Sequence, residues 1–270
     1  MSCFIRDKYD NFIIFAPYFN VSSMTVSKII RSKIQDFSTD FVFCVSDLQL
    51  DAKQNQAAVR ALQRMVEQGE LRKMSKGKYY KPRQSIFGEL KPSPSQIAKD
   101  FLSDGDTITG YLTCNSIFPT LGLTTQISSK IEIGTNRYRH PLVRDGYNIS
   151  FIVQRNQITS ETIPVLRILD CIRFVRDIPA TTPDEACARI IELVRELDEN
   201  AKALMAECAL NYQPYVRALT GAIIETIDGN TPNADRLFNS LSGISRYHLP
   251  ISDGILPNKQ KWRIYEPSRK

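Results

Sequence analysis

Residues 55–81 read NQAAVRALQRMVEQGELRKMSKGKYYK, an apolar helical repeat that runs into a polar stretch with two glycines. The repeat predicts a helix over residues 55–68 whose buried stripe consists of Ala58, Leu62 and Met65 with Val59 and Val66 beside them. Gly69 follows where the end of a helix favours a residue of left-handed conformation. Lys76-Gly77 then supplies the turn of a hairpin that runs to Lys81.

The residues before this stretch add the other elements of a small domain. A further helical face precedes it, formed by Val26, Ile29, Ile30, Ile34 and Phe37. Residues 41–44 predict a short strand, and Ser46 and Asp47 can cap a short helix over residues 48–50. Helix, strand, short helix, helix and hairpin is the order of a winged helix-turn-helix, which we predict for residues 24–83.

Residues 1–23 show no clear period, whereas the helical pattern begins at once after Met24. Two interpretations stay open for this segment. Met24 is the natural start and residues 1–23 are an upstream extension, or these residues form a packed N-terminal arm.

Pro82 and the Pro92-Ser93-Pro94 segment mark a change of unit. For residues 84–180 the patterns predict helices over 94–102, 115–121 and 164–175 and strands over 107–112, 130–134, 138–143 and 148–154. Beyond residue 180 a capping box opens at Thr182, one helical face continues to Cys208, and further helices are predicted over 212–228 and 233–241. The chain ends in a basic tail, residues 259–270.

The predicted fold class is therefore α+β, with four parts along the chain. An N-terminal extension (1–23) precedes a winged helix-turn-helix domain (24–83), which is followed by a mixed α/β domain (84–180) and a helical C-terminal region with the basic tail (181–270).

Positive charge is concentrated in the predicted winged unit. Residues 53–83 hold nine Lys and Arg against two Glu, a net charge of +7, while the whole chain has only +6. Basic residues on a helix and a hairpin indicate a surface for nucleic acid, because each cation laid on a phosphate releases condensed counterions. The ordinary alternative is a basic surface that only faces water. The concentration of charge in one segment makes this interpretation the weaker one.

In such a fold the second helix of the turn enters the major groove and the wing contacts the backbone. Gln56 and Arg60, one turn apart, suit adenine and guanine edges, and Lys76 and Lys78 at the wing tip suit phosphates. The predicted DNA-contacting residues are Lys53, Gln54, Asn55, Gln56, Arg60, Arg64, Lys73, Lys76 and Lys78.

A second polar cluster, Arg137, Tyr138, Arg139 and His140, has two interpretations. It is an exposed hairpin, or a patch in which Arg137, Arg139 and His140 bind a phosphate or a protein partner. Asp104 and Asp106 flank a turn glycine, which is ordinary turn chemistry. The C-terminal aromatic residues Tyr212, Tyr215 and Phe238 are expected to fill core, although a dimer or partner surface stays open.

Other classes of function have little support. Six scattered cysteines without a CxxC pair suit small buried hydrophobes in a reducing compartment, and two histidines make a zinc site improbable. The sequence contains no GxSxG, Walker or HExxH motif, so we expect no catalytic residues, no metal and no cofactor. No apolar run approaches the length of a membrane span, which predicts a cytoplasmic protein.

Two segments carry a resemblance to a known family. Val59–Lys73, closing on Lys76-Gly77-Lys78-Tyr79-Tyr80-Lys81-Pro82, resembles the DNA-binding start of AbiEi-like antitoxins of bacterial type IV toxin–antitoxin systems. Gly88–Ser93 and Leu121-Gly122-Leu123-Thr124-Thr125-Gln126-Ile127 are similar to signatures of that family's second domain. The resemblance covers residues 24–178, and the second-domain signature is more distinctive than the winged-helix pattern.

This resemblance implies a non-enzymatic regulator that binds duplex DNA and represses its own operon. It also implies a partner toxin of the nucleotidyltransferase type, which the antitoxin counteracts without a stable complex. Three functions remain open from the sequence: a DNA-binding regulator of the antitoxin type, a protein-interaction module that neutralises a toxin, and, least supported, a nucleic-acid enzyme with Asp104 and Asp106 as metal ligands.

Overall fold

The structure, a computed structural model, describes residues 25–86 and 88–267. The interpretations of residues 1–23 lie outside this range. The fold is α+β. Its helices are α1 (Val26–Gln35), α2 (Asn55–Glu67), α3 (Pro94–Ile97), α4 (Lys99–Leu102), α5 (Thr162–Arg173), α6 (Pro183–Arg195), α7 (Glu199–Ala209), α8 (Pro214–Asp228) and α9 (Pro232–Asn239).

The strands are short and form several small sheets. They are β1 (Val42–Phe43), β2 (Arg72–Ser75), β3 (Lys78–Tyr80), β4 (Arg83–Ser85), β5 (Gly88–Leu90), β6 (Ser103–Asp104), β7 (Thr107–Ile108), β8 (Gly110–Thr113), β9 (Lys130–Thr135), β10 (Leu142–Arg144), β11 (Tyr147–Val153), β12 (Tyr247–His248) and β13 (Ile264–Tyr265). Three-residue and four-residue 3₁₀ turns lie at Val45–Leu48, Ala52–Gln54 and Cys114–Ser116.

The first unit places α1 and α2 on one face of a three-stranded antiparallel sheet in the order β1-β3-β2. Helix α2 and the hairpin were predicted and are confirmed, with Gly69 and Gly77 both at positive φ, +77° and +74°. The short helix predicted at residues 48–50 instead spans Val45–Leu48. Its start is moved forward by Asp47, whose Oδ2 accepts a hydrogen bond from the Cys44 N–H at 2.8 Å.

The buried stripe of α2 differs from the prediction in one residue. Ala58, Ala61, Leu62 and Met65 are buried, but Val59 is 45% exposed. The buried set follows i, i+3, i+4 and i+7, and Val59 lies beside this stripe on the solvent side. The prediction that Val59 packs in the core is therefore wrong, and Ala61 occupies that place.

The sheet of the first unit is covered on both faces. Phe43, Leu71 and Tyr79 pack against α1 and α2, whereas alternate residues point the other way. That second face, with Val42, Met74 and Tyr80, packs into an apolar cluster with Ile97, Ala98, Phe101, Ile131, Ile133 and Ile149. The first unit thus shares buried apolar surface with the middle of the chain.

The middle of the chain is built on a four-stranded sheet in the order β10-β11-β9-β8, with β9 and β11 parallel. Several predicted elements here are shorter or interrupted. The helix predicted over 94–102 is split into α3 and α4 at Ala98, and the predicted strand 107–112 is interrupted at Thr109, whose N–H donates to the Leu102 carbonyl at 2.9 Å. In place of the helix predicted over 115–121 there is only a 3₁₀ turn, Cys114–Ser116. The strand predicted over 138–143 is shorter and begins later, as β10 (Leu142–Arg144).

The last five helices pack with β8 around one apolar core. The capping box at Thr182 is confirmed: its N–H donates to Glu185 Oε2 at 2.8 Å and its Oγ1 accepts from the Glu185 N–H at 3.2 Å. The helical face predicted to continue to Cys208 is broken, because Asp198 Oδ1 accepts from the Ala201 N–H at 2.7 Å and starts α7.

The C-terminal segment packs onto these helices. Trp262 is fully buried, and its indole N–H donates to Glu225 Oε2 at 2.7 Å. Lys259 is 3% exposed, and its ammonium donates to the Ile251 carbonyl and to Glu266 at 2.7 and 2.8 Å. The described part of the basic tail is thus tied to the core by hydrogen bonds and apolar contacts.

Candidate nucleic-acid interface

Helix α2 presents a polar face to solvent because its apolar stripe is turned toward α1 and the sheet. Of the predicted contacts on and before it, Lys53, Asn55, Gln56, Arg60 and Arg64 are exposed and Gln54 is half-buried. Arg64 makes one long hydrogen bond, 3.4 Å to Ser27 Oγ. Among the described residues no hydrogen bond or ion pair engages the other five side chains, so their donors remain available.

The β2–β3 hairpin adds two further exposed cations. Lys73 faces Tyr79 across the two strands, so both side chains share the sheet face that covers the helices. Lys76 lies in the turn beside Gly77. Both lysines are exposed, and neither meets a carboxylate within the part of the chain that the structure describes. The hairpin therefore extends the positive surface of α2.

Lys78 is placed differently from the prediction. It lies two residues from Tyr80 and shares that residue's sheet face, away from α2. Its ammonium lies 2.5 Å from Asp100 Oδ2, and that carboxylate also pairs with Arg144 at 2.6 Å. The predicted wing-tip cation is thus already neutralised within the protein, and it joins β3 to α4 and β10.

Two further ion pairs set the local charge. Arg31 donates to both oxygens of Glu70 at 3.1 and 2.7 Å, and Arg72 donates to Glu89 at 3.0 and 2.8 Å. The hydrogen bonds from Arg31 lower the pKa of Glu70 and keep it ionised. Of the nine cations in 53–83, Arg72 and Lys78 are paired, which leaves seven without a carboxylate partner among the described residues: Lys53, Arg60, Arg64, Lys73, Lys76, Lys81 and Arg83.

The second predicted cluster lies between β9 and β10. Arg137, Tyr138, Arg139 and His140 are all exposed, Tyr138 to 71%, and they form no strand. The Tyr138 and His140 rings meet edge to face at 5.1 Å. The Arg139 guanidinium lies 5.5 Å from the centre of the Phe101 ring. Neither arginine has an ion pair in the described residues.

A buried polar network lies apart from these surfaces, under β8 and α5. Asp170 is fully buried and accepts hydrogen bonds from Thr113, Tyr111 and Tyr212 at 2.6, 2.7 and 2.9 Å. Gln154 then donates to both tyrosine hydroxyls. Burial raises the pKa of Asp170, against the effect of the three hydroxyl donors. With its partners satisfied, the network ties sheet to helices rather than offering a reactive group.

Cysteine chemistry has no suitable residue in the described core. Cys114, Cys171, Cys187 and Cys208 are free and buried, and Cys44 is half-buried. Burial raises the pKa of Cys187 to about 12 and that of Cys114 well above its ordinary value. The Cys114 and Cys187 thiols therefore stay protonated at neutral pH and are poor nucleophiles. Asp104 and Asp106 are exposed at the ends of β6 and β7, on either side of Gly105.

Sequence reasoning missed two residues that matter at this surface. Val59 is exposed on α2 beside the predicted contacts, and Asp100 neutralises Lys78. The strict i, i+3, i+4, i+7 spacing of the buried stripe could have identified the first. The alternation of side chains from Tyr80 could have separated Lys78 from Lys73, but not its partner.

Comparison with known proteins gives few matches. A family model described as a family of unknown function, DUF6088, matches residues 29–139, from within α1 to the Arg137–Arg139 segment. No curated protein matches the chain. Among solved structures, the chain is similar to the crystal structure of the Rv2827c protein from Mycobacterium tuberculosis, with 14% identity, a TM-score of 0.47, and coverage of 82% of this chain and 83% of that chain.

None of the helices in residues 25–86 and 88–267 combines the length and apolar character that a membrane crossing needs.

Proposed function

We propose that residues 25–83 form a winged helix-turn-helix that binds duplex DNA, with α2 in the major groove and the β2–β3 hairpin on the sugar-phosphate backbone. The order of elements and the strand order β1-β3-β2 support this proposal. The observation that carries it is the set of seven cations on α2, the hairpin and their flanks that have no carboxylate partner among the described residues. A surface with this charge gains affinity from each phosphate it neutralises.

The side chains on the exposed face of α2 suit the reading of bases. Gln56 and Arg60 can form paired hydrogen bonds with adenine and guanine, and the exposed Val59 between them can contact a thymine methyl group. Lys73 and Lys76 contact phosphates in this arrangement and set the register without reading sequence. Lys78 has no part in the contact, because Asp100 neutralises it.

The role we propose for this binding is transcriptional regulation of the antitoxin type in the cytoplasm. The protein would repress its own operon and counteract a nucleotidyltransferase-like toxin without forming a stable complex. The resemblance of residues 24–178 to AbiEi-like antitoxins supports this part of the proposal. The DNA contact has separate support in charge and geometry, so the two parts can be tested separately.

The test is titration of the full chain onto a duplex from its own upstream region, followed by fluorescence anisotropy at several salt concentrations. Arg60→Ala is expected to weaken binding by about fivefold or more, since a lost base contact costs about 1–3 kcal/mol. A matched control, Arg195→Ala with Arg236→Ala, removes two exposed arginines from α6 and α9 and should leave binding unchanged. Absence of binding to any duplex at low salt would refute the DNA part of the proposal.

The antitoxin part has its own test. The full chain, wild type or Arg60→Ala, is co-expressed with the product of the neighbouring gene, and growth is measured. Relief of toxicity by both forms supports neutralisation that is independent of DNA. No relief by either form contradicts the antitoxin role but leaves the DNA-binding result standing.

A further inference from the structure

We infer that the loop Arg137–His140 is a second contact for duplex DNA, on the backbone that flanks the site read by α2. This inference rests on the proposed function and extends it from the winged unit to the middle of the chain. The occupant we assign is the phosphate backbone of the same duplex.

The loop has the chemistry of a phosphate contact. Arg137 and Arg139 place two guanidinium groups in an exposed segment, with Tyr138 and His140 between and beside them. Neither guanidinium has an ion pair among the described residues, so no described carboxylate compensates its charge. Phosphate accepts paired hydrogen bonds from such planar donors.

The position of the loop follows from a chain of side-chain contacts that leads to the hairpin. Arg139 and Arg144 both lie over the Phe101 ring, 5.5 and 4.6 Å from its centre. Arg144 pairs with Asp100, and Asp100 pairs with Lys78 on β3. Lys78 in turn lies two residues from Lys76 in the turn of the hairpin. The loop is thus a neighbour of the hairpin, joined to it by side-chain contacts.

The strands that carry the hairpin and the strands that flank the loop pack in one apolar cluster. The second face of the β1-β3-β2 sheet is buried against Ile97, Phe101 and the strands β9 and β11. Two contact sites held at a fixed separation bind one duplex together at little additional entropic cost. A loop carried on a flexible linker would lack this advantage.

Acidic residues close to the loop oppose the inference. Asp104 and Asp106 lie on the β6–β7 hairpin, which leads into β8, and Gly110 of β8 pairs with Thr135 just before the loop. Their carboxylates form no ion pair with Arg137 or Arg139. The loop therefore keeps its two charges, although acidic residues occupy the adjoining hairpin.

The test compares the salt dependence of duplex binding by the full chain. Each neutralised phosphate contributes about 0.9 to the slope of log K against log salt, so Arg137→Ala with Arg139→Ala should lower its magnitude by about 1.8. Between 50 and 200 mM salt, the wild type should then lose about tenfold more affinity than the variant. Arg137→Lys with Arg139→Lys, which keeps both charges, should restore the slope.

Duplex length provides the second measurement. On a duplex shortened to the segment that Arg60 contacts, the wild type and the Arg137→Ala, Arg139→Ala variant should bind alike. Arg60→Ala should still weaken binding on both lengths. The double substitution Arg195→Ala, Arg236→Ala serves as the control for loss of two charges.

The outcomes separate the inference from the proposal on which it rests. If the wild type binds duplex and Arg60→Ala weakens it, but the loop variant has an unchanged slope on long DNA, the loop inference is overturned alone. If the loop instead binds an acidic protein and the salt slope on long DNA is unchanged, the loop inference is likewise overturned. If the wild type binds no duplex, the proposed function fails first.

Discussion

Lys78 and Asp100 join the hairpin of the first unit to the middle of the chain, with Nζ and Oδ2 2.5 Å apart. Arg144 completes the cluster from β10, at 2.6 Å from the same carboxylate. The three residues belong to three separate elements, β3, α4 and β10. Lys78, one of three lysines near the hairpin turn, therefore has a structural partner, while Lys73 and Lys76 pair with no carboxylate in the part of the chain that the structure describes.

Lys73 and Lys78 should respond differently to the same substitution. Lys73→Ala is expected to change the free energy of unfolding by less than about 0.5 kcal/mol and to lower the salt slope of DNA binding by about 0.9. Lys78→Ala should cost about 1 kcal/mol of stability, a value kept small because Asp100 is partly exposed, and leave the slope unchanged. Urea unfolding and anisotropy measure the two effects. Equal slopes for both variants would contradict the placement of Lys78.

Asp100 should make part of the free energy of unfolding depend on pH in the acid range. Burial acts to raise its pKa, but hydrogen bonds from Arg144 and Lys78 outweigh burial and lower it. Because the folded pKa is lowered, the stabilisation is present above the ordinary value near 4 and is lost as pH falls through the lowered value. Asp100→Asn should thus be less stable than wild type by about 1 kcal/mol at pH 7, with a smaller gap at pH 3.

Urea unfolding at both pH values measures this gap. Asp106→Asn, an exposed carboxylate without an ion pair in the described residues, is the control and should differ little from wild type at either pH. A gap for Asp100→Asn that is the same at pH 7 and pH 3 would count against a lowered pKa.

Asp170 is expected to act in the opposite sense. Burial raises its pKa, so its contribution is full below the ordinary value near 4 and is lost as pH rises through the raised value. Asp170→Asn should be about 2 kcal/mol less stable than wild type at pH 4, because buried hydroxyls lose acceptors, and this gap should narrow as pH rises. Asp177→Asn, at an exposed position, is the control. A gap that widens with pH would mean that the three hydroxyl donors dominate.

Val59 tests the orientation of α2. Its side chain is 45% exposed, so Val59→Ala should change stability by less than about 0.5 kcal/mol. If it meets a thymine methyl group, the variant should bind the upstream duplex more weakly and lose preference for thymine at one position. Val153→Ala, at 46% exposure on β11, is the matched control and should do neither. Measured affinities on duplexes with single base changes decide the matter.

Gly221 tests how closely the C-terminal segment is packed. A Cβ placed there would overlap the Trp262 ring, which lies fully buried against α8. Gly221→Ala is therefore expected to cost about 1–3 kcal/mol and to lower the melting temperature. Gly243→Ala, where a Cβ would meet no atom within 4 Å, should be close to neutral. Equal melting temperatures for the two variants would show that the C-terminal segment can shift to accommodate the added methyl group.

The sequence was sufficient for elements whose signals are local. The apolar period of α2, Gly69 at its end and Gly77 in the hairpin turn each depend on neighbours within a few residues. The capping box at Thr182 is local in the same way. These signals also located the exposed basic side chains of α2.

Other features depend on residues far apart in the chain. Asp170 receives hydrogen bonds from Tyr111 and Tyr212, which are 59 and 42 residues away, and no local pattern encodes that meeting. The same is true of Asp100 and Lys78. The strand predicted over residues 107–112 is divided at Thr109, because β7 pairs with β6 whereas β8 pairs with β9. The local pattern does not encode this change of partner.

The shared apolar face of the first sheet limits how the roles of this protein can be separated. A deletion of residues 25–83 would leave Ile97, Phe101 and Ile131 without the side chains of Val42, Met74 and Tyr80 that cover them. Such a fragment would bring newly exposed apolar surface to solvent and invite aggregation, whatever its function. Loss of activity on truncation is therefore uninformative for this chain. Single substitutions at exposed positions test each role without removing this buried apolar packing.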